Sequence, residues 1–135
     1  GIGSLQAMAA SAGGERVLVA LDARMGEVYF GRFEQGQQQG EIGVFAPESV
    51  PLPDSDGWLA CGNGLTAYPR LRERLAACVD HWQPEIMPHA EAVLRLAAPR
   101  LMRGECIDPA DAAPLYVRDK VAKTVAERLA EGGRA

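Results

Sequence analysis

The sequence predicts an α/β domain with a mixed sheet of four or five strands, of which the first three are consecutive and antiparallel, flanked by helices. Strand patterns come first, at 17–21, 28–33, 41–46 and 58–61, and helical patterns follow, at 68–79 and 89–103. Because strands are grouped before helices, we expect the two later helices to cover one continuous sheet.

The first two strands are predicted to form a hairpin. Five consecutive apolar residues lie between Arg16 and Asp22, which is typical of a strand buried on both faces, because a half-exposed strand would alternate. Residues 28–33 have the period of two that indicates a strand with differently solvated faces. The connector 23–26 is short and ends in Gly26, which accepts positive φ without steric cost, and so favours an antiparallel turn.

Several boundaries follow from local signals. An opening helix is predicted at 4–12 with Ser4 as its N-cap and the glycines after it as its stop. The polar segment 34–40 favours a flexible hairpin loop, the alternative being a functional glutamine tract. Residues 81–84 are predicted to close the helix that begins at Tyr68. In the last helix, Pro99 predicts a kink or an early end near Ala98.

Composition limits the class of protein. The chain has 135 residues, 47% of them hydrophobic and 24% charged, which predicts one soluble globular domain and excludes a disordered one. Its net charge is -4 and its cations are scattered, so we expect no direct contact with nucleic acid. No apolar run reaches the roughly 20 residues of a membrane span. The three cysteines, Cys61, Cys78 and Cys106, form no disulfide framework and predict free thiols in a reducing cytoplasm.

Candidates for catalysis are few. His81 and His89 lack a partner at the helical spacing of metal ligands, so both favour surface or capping positions and no metal site is predicted. Asp22 ends a buried strand beside Arg24 and Glu27, where a carboxylate must find partners. It therefore either braces the hairpin or faces a ligand or partner.

A second candidate is Gly62-Asn63-Gly64, which follows a strand and precedes a helix. Glycines at such a junction let backbone N–H groups approach a phosphate. The segment lacks the lysine of a P-loop and the third glycine of a dinucleotide fingerprint. A tight strand-to-helix turn is the alternative interpretation.

Four stretches together resemble the second half of the bacterial TsaB family, also called YeaZ. They are Ile2-Gly3-Ser4-Leu5, Leu21-Asp22-Ala23-Arg24-Met25-Gly26-Glu27-Val28-Tyr29, Cys61-Gly62-Asn63-Gly64 and Pro114-Leu115-Tyr116-Val117-Arg118, followed by Val121-Ala122. The resemblance runs from the first residue to about Thr124. It implies half of an actin-like, Hsp70-like ATPase fold, which is ribonuclease H-like, and a relation to the M22 glycoproteases. It also marks Asp22, Arg24, Glu27 and Tyr29 as motif residues that could contact a partner or ligand.

The resemblance further implies a non-catalytic partner of the TsaD enzyme, acting with the ATPase TsaE to form N6-threonylcarbamoyladenosine in tRNA. The histidine pair of the TsaD branch has no counterpart in this sequence. No cofactor is expected in this chain, since ATP or ADP would need the other half or a partner. Two other hypotheses stay open, a degenerate ATPase or M22-type peptidase, and a fragment without activity of its own.

The resemblance also implies a domain organisation. Residues 1–15 are expected to be a helix left from the junction with a missing N-terminal half, 16–124 the second actin-like half-domain, and 125–135 a frayed tail. Without the other half, Ile2, Leu5 and Met8 are expected to form an exposed apolar patch that supports a homodimer.

Overall fold

A computed structural model describes residues 1–118 and Ala130. The tail expected at 125–135 therefore lies, Ala130 apart, outside the described residues. The elements follow the order α1 (Ser4–Ala12), β1 (Arg16–Asp22), β2 (Val28–Glu34), β3 (Gln37–Phe45), β4 (Trp58–Cys61), α2 (Gly64–Ala67), α3 (Pro69–Leu75), β5 (Val79–Gln83) and α4 (Ala90–Met102). Single 3₁₀ turns lie at Pro47–Ser49 and Pro109–Asp111.

The five strands form one mixed sheet in the order β3-β2-β1-β4-β5. The pairs β1–β2 and β2–β3 are antiparallel, and β1–β4 and β4–β5 are parallel. The predicted mixed sheet with an antiparallel three-stranded start is thus confirmed. Its central strand is β1, which is the reason why that segment is apolar on both sides.

The sheet separates two hydrophobic cores. Leu18 and Ala20 of β1 face a core that contains Phe30 and the buried leucines of α2 and α3. Val17 and Val19 face the opposite core, which is closed by the apolar side of α1. Both faces of β1 are therefore covered by helices of this chain, and the predicted burial of this strand on both faces is confirmed.

The second hairpin turn is shorter than predicted. Only Gln35 and Gly36 connect β2 to β3, with φ of 48° and 75°, the double positive φ of a type I′ turn. Pairing resumes at once between Glu34 and Gln37, so the expected loop at 34–40 is wrong and β3 begins four residues earlier than its apolar pattern. Polar side chains fit there because β3 is an edge strand with access to water.

The helix predicted at 68–79 is also wrong in its second half. The helix α3 ends at Leu75, whose carbonyl accepts the N–H of Cys78 at 3.0 Å, and residues 79–83 form β5 rather than a helix end. Cys78 and Val79 pack in the same core as Leu75. The apolar residues therefore keep a helical spacing in the sequence, although the backbone is extended from Val79 onward. Parallel pairing with β4 decides the conformation of this segment.

The outer helices differ from the prediction in three details. In α1, Gly3 is the N-cap and Ser4 already lies in the helix, whereas the stop at Gly13 is confirmed by its φ of 74°. In α4, Pro99 does not end the helix, which continues to Met102. This helix packs mainly on α1 instead of covering the sheet. Among the described residues, no helix is both long and apolar enough to cross a membrane.

The apolar patch expected on the opening helix is not exposed. Leu5 and Met8 are buried in the core that β1 and Phe33 complete, and Ile2 is half-buried. The sheet of this chain supplies the cover that the sequence interpretation assigned to another half. The prediction that Leu5 and Met8 form part of an exposed apolar patch is therefore wrong.

The burial of Met8 gives a testable difference between two methionines. Met8 has 0% exposure and Met102 has 87%. We expect Met8→Ala to lower the free energy of unfolding by roughly 2–5 kcal/mol, because it leaves a cavity, and Met102→Ala to change it by less than about 0.5 kcal/mol. Urea unfolding followed by circular dichroism measures both, and equal losses would contradict the packing of α1.

Candidate functional site

The turn between β1 and β2 has an unusual backbone. Three consecutive residues have left-handed φ: Arg24 at 63°, Met25 at 57° and Gly26 at 76°. The sequence predicted this conformation only for Gly26. In residues other than glycine it costs of order 1–3 kcal/mol each, and such residues are concentrated at functional sites. The turn closes with the Ala23 N–H donating to the Glu27 carbonyl at 2.9 Å.

Asp22 stabilises this turn from below. Its Oδ1 accepts the backbone N–H of Arg24 at 2.9 Å and the hydroxyl of Tyr68 at 2.8 Å. Its own N–H donates to Oδ1 of Asn63 at 2.9 Å. These contacts support the bracing role, and a direct contact of Asp22 with a ligand or partner stays a prediction.

These hydrogen bonds shift two pKa values in opposite directions. The pKa of Asp22 is lowered from 3.8, first by the Arg24 N–H and then by the Tyr68 hydroxyl, because both donors favour the carboxylate. The pKa of Tyr68 is raised from 10.0, chiefly because its hydroxyl donates to Asp22. Both groups therefore keep this bond through the neutral pH range.

The two glycines at 62–64 are required by close packing. A Cβ on Gly62 would lie 2.2 Å from the carbonyl oxygen of Ala20, and one on Gly64 would lie 2.9 Å from the same oxygen. Gly62 also has a φ of 108°. The segment thus brings α2 against the end of β1 as a tight turn does. Its use as a phosphate loop remains a sequence prediction, and α2 has only four residues.

The other side of the turn contacts a distant part of the chain. The guanidinium of Arg118 forms an ion pair with Glu27, lies 6.0 Å from the ring centroid of Tyr29 and donates to the Met25 sulfur at 3.9 Å. Its side chain is only 12% exposed. The structure thereby joins the motifs at 21–29 and 114–118. Sequence reasoning did not select Arg118 as a site residue, although the signal was present in the second motif.

A groove of about 630 Å³ lies beside this contact. It is lined by Ala113, Pro114, Leu115 and Val117, by residues 1–6 at the start of the chain and by side chains of the sheet. The sheet residues that line it are Leu21, Tyr29, Gln38 and Ile42. The groove therefore lies directly against the motif turn.

The remaining candidates do not join this site. Within residues 1–118 and Ala130, no group of three or more His, Cys, Asp or Glu side chains could hold a metal ion. His81 lies exposed on β5 and His89 lies exposed before α4. Burial raises the pKa of Cys61 to about 12 and raises that of Cys78 as well, so neither thiol is a ready nucleophile at neutral pH.

Comparison with known proteins identifies the family. The chain is 34% identical over 134 residues to the tRNA threonylcarbamoyladenosine biosynthesis protein TsaB of Escherichia coli K12, covering 90% of this chain and 58% of that protein. It is 28% identical over 137 residues to the protein of the same name from Haemophilus influenzae Rd, covering 89% of this chain and 56% of that protein. No family model matches the chain.

Solved structures agree with this result. YeaZ from Pseudomonas aeruginosa is 35% identical with a TM-score of 0.74, covering 85% of this chain and 58% of that one. A second structure from the same organism, described as similar to peptidase YEAZ, is 34% identical with a TM-score of 0.74, covering 87% of this chain and 57% of that one. The chain belongs to the TsaB (YeaZ) family. It spans a little over half the length of these relatives.

The family assignment gives the fold its wider context. The YeaZ neighbours are of the actin-like ATPase type, and the mixed five-stranded sheet flanked by helices agrees with that architecture. The two TsaB-like motifs at 21–29 and 114–118 are far apart in the sequence and in contact in the structure. The turn, Arg118 and the adjoining groove are therefore the candidate functional site.

Close packing at Gly62 predicts a large loss of stability on substitution. Gly62→Ala combines a left-handed backbone with a clash against the Ala20 carbonyl, so we expect it to cost roughly 3–5 kcal/mol. Gly57 is the matched control, because its φ is +80° and a Cβ there meets nothing within 4 Å. Gly57→Ala should cost only about 1–2 kcal/mol. Urea unfolding decides, and similar costs would contradict the close approach of α2 to β1.

The lowered pKa of Asp22 predicts how stability depends on pH. Because the folded state holds this carboxyl below its unfolded pKa of 3.8, Asp22 adds stability above that pH, which is lost as pH falls through the folded pKa. The stability difference between wild type and Asp22→Asn should thus be largest above about pH 5 and narrow at pH 3. Tyr68→Phe removes only one of the two donors to Asp22. The stability difference between wild type and this variant should therefore change less between pH 7 and pH 3. Urea titrations at pH 7 and pH 3 test this, and a constant difference would contradict it.

Proposed function

We propose that this chain is part of a non-catalytic partner subunit that supports the formation of N6-threonylcarbamoyladenosine in tRNA. The observation that carries the proposal is the 34% identity to the Escherichia coli TsaB protein over 90% of this chain. The name of that relative describes a role in the biosynthesis of this modification. In this proposal a TsaD-like protein performs the transfer to adenosine, and a TsaE-like protein assists it in the cytoplasm.

The charge of the chain supports a protein partner rather than tRNA as its direct contact. The net charge is -4, and binding to a phosphate backbone normally uses clustered cations. We therefore assign recognition of the tRNA to the partner. The contribution of this chain would be a surface that positions or stabilises that enzyme.

The β1–β2 turn is the part of the surface that we propose for this contact. Arg24 and Met25 are exposed at its tip, and Met25 has 74% exposure. Their strained backbone is held by Asp22 beneath them and by Glu27 and Arg118 beside them. A rigid turn loses little conformational entropy when a partner binds, which favours affinity. Asp22, Glu27 and Tyr29 would act here as supports of the tip.

A peptidase-like activity is the second candidate. It is favoured only by the description of one structural neighbour as similar to peptidase YEAZ. The described residues offer no metal cluster for such a reaction, and the buried cysteines are not activated thiols. A degenerate ATPase would need a nucleotide site, for which this chain supplies at best Gly62 and Gly64.

The whole protein that contains this chain allows a direct test. We expect it to restore N6-threonylcarbamoyladenosine in tRNA, measured by mass spectrometry of nucleosides, in a bacterial strain depleted of its own TsaB. Met25→Ala in that protein should weaken binding to a purified TsaD-like protein by about tenfold or more, because it removes an exposed anchor from the centre of the contact.

Met102→Ala is the matched control, since it removes an even more exposed methionine from the end of α4. It should leave both the affinity and the modification level unchanged. No restored modification by the wild-type protein would refute the proposed function. Restored modification with equal affinities for both variants would refute only the assignment of the turn.

A further inference from the structure

The segment that follows α4 is almost entirely exposed. Residues 104–116 are all exposed, and within the described chain every hydrogen bond of residues 106–117 joins groups only two or three residues apart. One example is Asp108, whose side chain accepts the N–H of Ala110 at 2.8 Å. Such bonds shape the segment locally and do not fix it to the rest of the fold.

At Arg118 this changes abruptly. The side chain is 12% exposed, and its guanidinium contacts three residues of the β1–β2 turn, namely Met25, Glu27 and Tyr29. At its other end the segment is fixed to α4, where the N–H of Glu105 donates to the Arg100 carbonyl at 3.0 Å. Within residues 1–118, the segment is thus a strap attached at both ends, and its distal attachment is the side chain of Arg118.

The strap forms a wall of the 630 Å³ groove. The strap residues that line it are Ala113, Pro114, Leu115 and Val117, and the rest of the lining comes from the sheet and from residues 1–6. The sheet wall is part of a paired sheet and cannot move alone. The strap wall has no such pairing among the described residues. Movement of the strap would therefore change the width of the groove.

We propose that residues 104–118 are a strap over this groove and that Arg118, by clasping Glu27 and Tyr29, is the latch that holds it closed. Release of the latch opens the groove and uncovers the supporting side of the motif turn, while the sheet stays unchanged. The inference does not depend on the proposed role in tRNA modification.

The chemistry of the pair suits a latch that can open. Arginine presents a planar fork to the carboxylate and can also lie against an aromatic ring, which lysine does less well. The Glu27 side chain is 41% exposed, so water can solvate its carboxylate when Arg118 leaves. The pair consequently holds the strap without the large penalty that would follow from opening a fully buried ion pair.

Proteolysis of the full 135-residue chain tests whether Arg118 holds the strap closed. Chymotrypsin cleaves after aromatic residues and leucine, so the exposed Leu115 and Tyr116 report on release of the strap. Glu27→Gln and Arg118→Ala should each raise the rate of cleavage at these residues by about tenfold, since the ion pair between Glu27 and Arg118 is lost in both. The double variant Glu27→Gln with Arg118→Ala should cleave no faster than Arg118→Ala alone, because the partners act as one unit.

Fluorine NMR supplies a second readout of the same variants. The chain has three tyrosines, and each can carry a 3-fluorotyrosine probe. Tyr29 lies under Arg118, Tyr116 lies on the strap, and Tyr68 donates a hydrogen bond to Asp22. In Glu27→Gln the Tyr29 resonance should shift and the Tyr116 resonance should narrow, whereas the Tyr68 resonance should keep its position. This pattern separates an opened strap from general unfolding.

Glu91→Gln is the matched control, since it removes the exposed ion pair with Arg95 on α4. It should leave the cleavage rate and all three resonances as in the wild type. The latch is refuted if Glu27→Gln leaves both readouts unchanged, or if the control variant accelerates cleavage to the same extent.

Discussion

The burial of β1 on both faces is the constraint on which the rest of the structure depends. Val17 and Val19 need cover on one side and Leu18 and Ala20 on the other, so helices must lie on both faces of the sheet. The polypeptide meets this need with α1 before the strand and with α2 and α3 after β4. The short distance between α2 and the end of β1 then leaves no space for a side chain at Gly62.

This constraint also determines the geometry of the motif turn. Because β1 is fixed on both faces, Asp22 at its end has a defined position from which it reaches the Arg24 N–H and the Tyr68 hydroxyl. Those bonds offset part of the cost of the left-handed residues above it. The strain is therefore maintained by the core beneath the turn, and the exposed tip has little freedom to relax.

How much of this was visible in the sequence depended on whether local signals agreed with the pairing of strands. The β1–β2 hairpin, β4 and the stop of α1 were predictable because apolar pattern and glycine position coincide there. The strand β5 was not predictable, because Cys78 and Val79 pack in the same core as α3 and therefore continue its helical spacing of apolar residues. Asp22 and Gly62 were visible as candidates, whereas Arg118 was visible only as part of a motif, because its contact with Glu27 spans 91 residues.

The motif residues separate into two groups once their contacts are known. The first group stabilises the fold. Asp22 accepts the Arg24 N–H, and Gly62 and Gly64 allow the close approach to the Ala20 carbonyl of β1. Folding alone does not require Arg24 and Met25, because neither side chain is buried and their backbone conformation is unfavourable. The bonds to Asp22 offset part of this cost within the fold, and the exposed side chains of the tip stay accessible to a partner. The exposed and strained tip of the turn therefore supports the proposal that this turn contacts a partner.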